Sequence, residues 1–254
     1  MRTDEGAAVT EDAVLGGRLR LRQPRKGHRV GHDAILLAAA TPAHPGERAV
    51  ELGAGVGAAG LALASRVERL SVTLIEVEPS LARLAAENAA MNGLGSRVES
   101  VAADVARLDL AAGSADRVLM NPPFNDPARQ NVSPDANRRL AHTAAEDTLR
   151  VWIEAAARLL RTGGTLTLIW RADGLADVLA RLSPAFGEIA VLPVHPRPDA
   201  PAIRVLVRAT KESRAPLALY PALCLNDAEG RPSGAAEAVL RDAAILPPAK
   251  IQGA

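Results

Sequence analysis

The chain has 254 residues, of which 48% are apolar, and a formal net charge of +1. It is long enough to bury a sizeable core as one α/β domain with additions, and too apolar to be disordered. Near-neutrality excludes a uniformly basic polyanion binder but not a local basic patch. The lone cysteine, Cys224, excludes an intrachain disulfide, and with five dispersed histidines it leaves no zinc-ligand spacing, so no metal is expected and a reducing cytoplasm is the expected compartment.

Residues 1–13, with Asp4, Glu5, Glu11 and Asp12 and no apolar stretch, read as a loose tail and not as a secretion signal. Arg18 to Gln23 alternates Arg with Leu, which is strand periodicity. Gly31 to Ala40 is a short apolar helix ended by Thr41-Pro42. Strands and helices then alternate. Strands are expected at Arg48–Leu52, Ser71–Val77, Val98–Ala102, Asp116–Met120, Thr165–Trp170, Glu188–Val194 and Ile203–Arg208. Helices are expected at Val56–Ser65, Pro79–Met91, Glu146–Arg161 (stopped by Gly163-Gly164) and Leu175–Leu182, with a further one near Ala235–Ala244. Asn125 to Asn137 reads as a long polar loop. No apolar run approaches about 18 residues, so no membrane span is expected.

The alternation predicts an α/β fold: a mostly parallel seven-stranded sheet with helices on both faces. One domain spans 1–254, with an extension over 1–46, a core over 47–210 and a tail over 211–254. In such sheets ligands bind beyond the C-terminal ends of the strands, so the residues just after each strand carry the functional reading.

Glu51-Leu52-Gly53-Ala54-Gly55-Val56-Gly57 follows the first core strand and opens a helix. Glycines there allow a tight turn and backbone contact with a cofactor. Gly55, Gly57 and Gly60 also satisfy G-x-G-x-x-G, so a nicotinamide dinucleotide is the immediate rival. Glu76 ends the second core strand, where a carboxylate can accept from both ribose hydroxyls; Glu78 is the alternative. Asp104 follows the third strand and can bond an adenine amino group or cap a turn.

Asn121-Pro122-Pro123-Phe124 follows the fourth strand. Proline fixes φ and donates nothing, so the Pro122 carbonyl can face outward beside the Asn121 side-chain oxygen. Two acceptors and no base suit the gripping of an –NH₂ group. They favour a pyramidal nitrogen whose lone pair points at an electrophilic methyl, and they stabilise the charge that develops on it. Phe124 offers a face for stacking. A dehydrogenase has no use for this arrangement.

These motifs resemble those of class I N6-adenine and glutamine N-methyltransferases. Gly31-His32-Asp33-Ala34-Ile35-Leu36-Leu37, Ile203 to Val207, Lys211 to Leu217 and Asp227 to Gly230 are more narrowly similar to the bacterial tRNA (adenine-N6) methyltransferase family acting on a valine tRNA, over roughly 14–245. Phe124 stands where many members have Tyr. The resemblance implies a Rossmann-like class I methyltransferase fold, S-adenosyl-L-methionine as cofactor and adenosine in tRNA as substrate. It implies cofactor contacts from Asp33, Glu51, Gly53, Gly55, Gly57, Glu76, Asp104 and Asn121, with Asn121, Pro122, Pro123 and Phe124 at the transfer.

Arg18, Arg20, Arg22, Arg25, Lys26, His28 and Arg29 form the densest basic cluster, suited to substrate RNA phosphates or to a solvated strand edge. Arg204 can serve phosphate or a structural ion pair, and Asp33 can also cap its helix. Arg129, Arg138, Arg139 and His142 lie in or near the loop after the tetrapeptide. Two alternatives remain: a protein glutamine N-methyltransferase, which usually carries an N-terminal helical substrate domain, and a non-catalytic cofactor- and RNA-binding protein.

Overall fold

Short runs of Val, Leu, Ile and Ala make the central strands, buried on both faces as parallel strands between helix layers must be. The computed structural model describes residues 9–25, 29–123 and 136–249, with residues 136–146 described by their backbone alone. The core strands are β3 (Arg48–Leu52), β4 (Ser71–Glu76), β5 (Val98–Ala102), β6 (Ala115–Met120), β7 (Leu160–Arg171), β8 (Phe186–His195) and β9 (Arg204–Lys211), the seven expected. Two short strands at the edge beside β8, β10 (Ala218–Leu219) and β11 (Leu223–Cys224), make the sheet nine-stranded. The order is β10-β8-β9-β7-β6-β3-β4-β5, with β11 also on β8. Only β9 runs against the others.

Helices α1 (His32–Ala40), α2 (Ala58–Arg66), α3 (Pro79–Met91) and α6 (Gly234–Leu240) contribute to the packing of one core, and α4 (Ala136–Leu159) and α5 (Leu175–Leu182) to that of the other. The first core includes Leu36, Leu61, Leu74 and Leu119; the second includes Val118, Leu149, Leu168 and Val178. Among the described residues no helix is long and apolar enough to cross a membrane.

Three local expectations change. Val9–Val14, placed in the loose tail, is a strand, β1, paired antiparallel with β2 (Leu19–Pro24). In β2 the alternation holds: Leu19, Leu21 and Gln23 are buried, Arg20 and Arg22 exposed. Gly163-Gly164 lies inside β7 and not past a helix, because α4 already ends at Leu159. A Cβ on Gly164 would come within 2.9 Å of the Arg161 carbonyl oxygen and 3.0 Å of that of Asp116, so the pair serves close strand approach. Finally, α4 starts at Ala136, well before Glu146; the expected loop 125–137 lies mostly outside the described residues.

The second edge of β2 is closed by side chains. Arg20 and Arg22 donate their backbone N–H to Asn92 Oδ1 (2.9 Å) and Asn88 Oδ1 (2.7 Å), and the two amides donate back to the carbonyls of the same residues. Asn88 of α3 and Asn92, which caps its C-terminal end, thus stand in for a neighbouring strand.

Candidate active site

The chain reverses its direction of travel across the sheet at β3, which lies between β4 and β6. Leu52 at the end of β3 pairs in register with Ile75 on one side and Met120 on the other, and Glu76 pairs with Ala102. Gly53, Glu76, Asp104 and Asn121 therefore leave the sheet along one edge, at the switch point where α/β folds bind ligands.

Gly53, Gly55 and Gly57 all have positive φ (67°, 56° and 86°). A Cβ on Gly53 would sit 2.2 Å from Cη2 of Trp152, so the indole of α4 braces the loop from one side. A Cβ on Gly55 would meet nothing within 4 Å. Gly55 thus presents bare backbone to open space, as a cofactor cradle requires. Gly57 forms the N-cap of α2.

The two carboxylates behind the loop have separate tasks. Glu76, buried, accepts from the Gly55 N–H (2.7 Å) with one oxygen and from the Glu78 N–H (2.9 Å) with the other, leaving further lone pairs on both. Glu51 turns its Oε2 to the Gly60 N–H (2.6 Å) in the first turn of α2. Burial, against the Gly60 hydrogen bond and with the nearby charge of Glu76, pushes the Glu51 carboxyl up to about 8. Its placement is behind the glycine loop. Glu78, the alternative to Glu76, caps α3 by accepting from Ser80. Asp104 is exposed and caps a short turn, with Oδ1 accepting from Ala106 N–H (2.9 Å).

Beyond β6, Asn121 is half-buried, Pro122 buried and Pro123 exposed; Phe124 lies outside the described residues. Asn121 Oδ1 is itself buried and has no hydrogen-bond partner among the described residues. Leaving such an acceptor empty costs about 1–3 kcal/mol, so it marks a group waiting for a donor.

Asp33, in the first turn of α1, pairs with Arg204 Nε at 3.0 Å. Arg204 faces Arg171 across the C-terminal end of β7, so the pair holds α1 at the edge of the site. The basic cluster is largely balanced by acids of β1 and α3. Arg20 pairs with Glu11, Arg22 with Glu11 (3.9 Å) and Glu87 (3.7 Å), and Arg29 with Asp12 (2.7 Å). Arg18 and Arg25 are exposed, with no ion pair among the described residues; Lys26 and His28 lie outside them, as does Arg129.

Two residues of the site escape a sequence reading. Val77, directly after Glu76, is 66% exposed, an apolar surface at the site's edge. Trp152 stands 99 positions from the glycine it touches, and only packing reveals it. Among the described residues no group of His, Cys, Asp or Glu could hold a metal ion.

A family model described as "Methyltransferase small domain" matches residues 28–195. A tRNA1(Val) (adenine(37)-N6)-methyltransferase of Bacteroides fragilis is 30% identical over 188 residues, 72% of this chain and 77% of that one. A solved structure from Agrobacterium tumefaciens, titled as a predicted O-methyltransferase, superposes with a TM-score of 0.71 at 28% identity, covering 84% of this chain and 98% of its own. TrmN from Thermus thermophilus shares the fold, with a TM-score of 0.52 at 21% identity, over 71% of this chain and 48% of its own. The open glycine loop, the carboxylate at the end of β4 and the unsatisfied acceptor after β6 fit S-adenosyl-L-methionine, and the chain is an S-adenosylmethionine-dependent methyltransferase of Rossmann-like fold. It belongs to the methyltransferase small domain family.

Proposed function

We propose that this enzyme transfers a methyl group to N6 of an adenosine in tRNA, in the cytoplasm, working as one domain over 1–254. The observation that carries the nitrogen acceptor is the buried Oδ1 of Asn121 at the end of β6, which has no partner among the described residues. That oxygen and the Pro122 carbonyl would each accept one hydrogen of the exocyclic amine. Holding both hydrogens draws the nitrogen toward a pyramidal geometry and steadies its developing positive charge. Pro123 stiffens the turn and Phe124 would stack on the base. An oxygen acceptor would need its proton removed, and two acceptor oxygens cannot do that.

The bound cofactor supplies a sulfonium methyl. Gly53, Gly55 and Gly57 would line its path, Glu76 would accept from its ribose hydroxyls and Asp104 from its adenine amine. Val77 would offer that ring an apolar face. Asp33 would stand near its methionine end, while Glu51 acts from behind by fixing the loop to α2. Arg18, Arg20, Arg22, Arg25, Lys26, Arg29 and Arg204 would face RNA, with Arg18 and Arg25 the most available. The Bacteroides fragilis relative, which bears the tRNA name, supports the substrate.

The test is methyl transfer from labelled S-adenosylmethionine into total RNA of a strain lacking the gene, followed by nucleoside separation. N6-methyladenosine in tRNA is expected. Label in protein glutamine and none in RNA would replace this reading.

A further inference from the structure

A cleft of about 550 Å³ lies apart from the glycine loop and the Asn121 turn, none of whose residues line it. Its walls come from the turn between β1 and β2, the first turn of α1 and α6. Leu15, Ile35 and Leu240 make an apolar lining, while His32, Asn226 and Arg241 supply polar groups. His32 is exposed and Arg241 is 70% exposed at its side chain, its Nε 3.5 Å from Glu237. Asn226 commits its Nδ2 to the Pro196 carbonyl (3.0 Å), which leaves its oxygen as an acceptor. Its size lies in the range of small-ligand sites, and its lining mixes apolar with polar groups.

Two features relate this cleft to substrate. The first is position. Asp33 ties the first turn of α1 to Arg204, which pairs with Arg171 at the C-terminal end of β7. The parallel pairing of Cys224 with His195 brings the chain out at Asn226 at that same end of the sheet. The first turn of α1 and Asn226, two of its walls, therefore lie at the end of the sheet that carries Gly53 and Asn121. The second is origin: the contributions from 13–17 and 225–241 lie outside residues 28–195, the part matched by the methyltransferase family model. Segments added around a common transferase core are where substrate choice is built.

We propose that this cleft seats a nucleotide flanking the methylated adenosine, an inference that rests on RNA being the substrate. A base has two apolar faces and a polar edge, which the leucines and Asn226 match; its phosphate suits Arg241. A target base drawn out of its stack exposes its neighbour, and a seat for that neighbour offsets part of the lost stacking.

The test uses the full chain, a fluorescein-labelled seven-nucleotide single-stranded RNA with one central adenosine, and calorimetry with S-adenosylmethionine. Ala13→Trp fills the cleft from an exposed position, and Arg241→Ala removes its cation without touching the core. Both should weaken RNA binding by about tenfold, with cofactor affinity unchanged, which also certifies the fold. RNA binding within twofold of wild type in both variants overturns the inference, as does wild-type protein that fails to bind the RNA. Methyl transfer into the oligonucleotide that both variants leave unchanged overturns the cleft while the reading of the active site stands. Methyl transfer only into protein removes the active-site reading, and this inference with it.

Discussion

The Asn88 carboxamide accepts from the backbone N–H of Arg22 at 2.7 Å and donates to the carbonyls of Arg22 and Val56, both at 3.0 Å. One fully buried side chain of α3 thereby fastens the N-terminal hairpin to the glycine loop itself. Asn88→Ala strands these backbone groups at about 1–3 kcal/mol each where they stay dry. With three such groups and roughly 2–4 °C per kcal/mol for a chain of this size, a fall in Tm of at least about 6 °C is expected. A Tm within about one degree of wild type would show that the hairpin does not depend on this amide.

Asn121→Ala removes an acceptor that has no partner among the described residues, and little packing. Cofactor affinity by calorimetry should hold within a fewfold, while kcat falls by about 10²-fold or more. Because the empty acceptor carries a burial cost in the unliganded chain, the variant should be no less stable than wild type. Undiminished turnover would remove Asn121 from the mechanism.

Glu51 ionises only reluctantly when folded, with its carboxyl pushed up to about 8 from an ordinary 4.5, chiefly by burial. The folded state thus holds this proton more tightly than the unfolded chain does. The stability it contributes is full below about 4.5 and is lost as pH climbs toward 8. Glu51→Gln keeps an acceptor for the Gly60 N–H and fixes the neutral state. Across that window Tm should fall less steeply in the variant, so that its advantage grows with pH. Parallel curves for the two proteins would mean that Glu51 ionises normally.

The Asp33–Arg204 pair is partly exposed, 28% and 22% at the two side chains, so its loss should cost little stability. If Asp33 serves the methionine end of the cofactor, Asp33→Ala raises KM for S-adenosylmethionine about tenfold or more with Tm nearly unchanged. A lower Tm with an unaltered KM would assign the pair to holding α1 alone.

RNA binding should separate the arginines by their partners. Arg18→Ala and Arg25→Ala should each lower the slope of log K against log salt by about one. Arg20→Ala should lower it less, since Glu11 already neutralises that guanidinium. Equal effects at all three positions would show that the hairpin ion pairs open on binding.

Much of the architecture could be read because each element has a local cause. Pro79 and Asn92-Gly93 bracket α3, and Leu19, Leu21 and Gln23 alternate along β2. The tetrapeptide after β6 invites a reading from sequence alone because its residues are consecutive. What stayed hidden depends on contacts between distant segments. The strand character of Val9–Val14 appears only when Glu11 and Asp12 find Arg20, Arg29 and Gln23 across the hairpin. Gly163-Gly164 looks like a helix stop until Gly164 is seen against the Asp116 carbonyl. Strands β10 and β11 have two residues each, too few to show a period. The register that sets Leu52 beside Met120 belongs to strand order, on which a linear pattern is silent.

Trp152 is one of two tryptophans in the chain; the other, Trp170, is 4% exposed and packed against Gly174. The half-buried indole of Trp152 touches Gly53, two residues before Gly55, whose backbone is open on one side and where the cofactor is proposed to sit. The loop therefore has a fluorophore built against it. Titrating S-adenosylmethionine into the unlabelled protein should change the intrinsic emission, Trp152→Phe should silence that signal, and Trp170 supplies a constant background. The same packing that braces the cradle makes its loading visible in a cuvette.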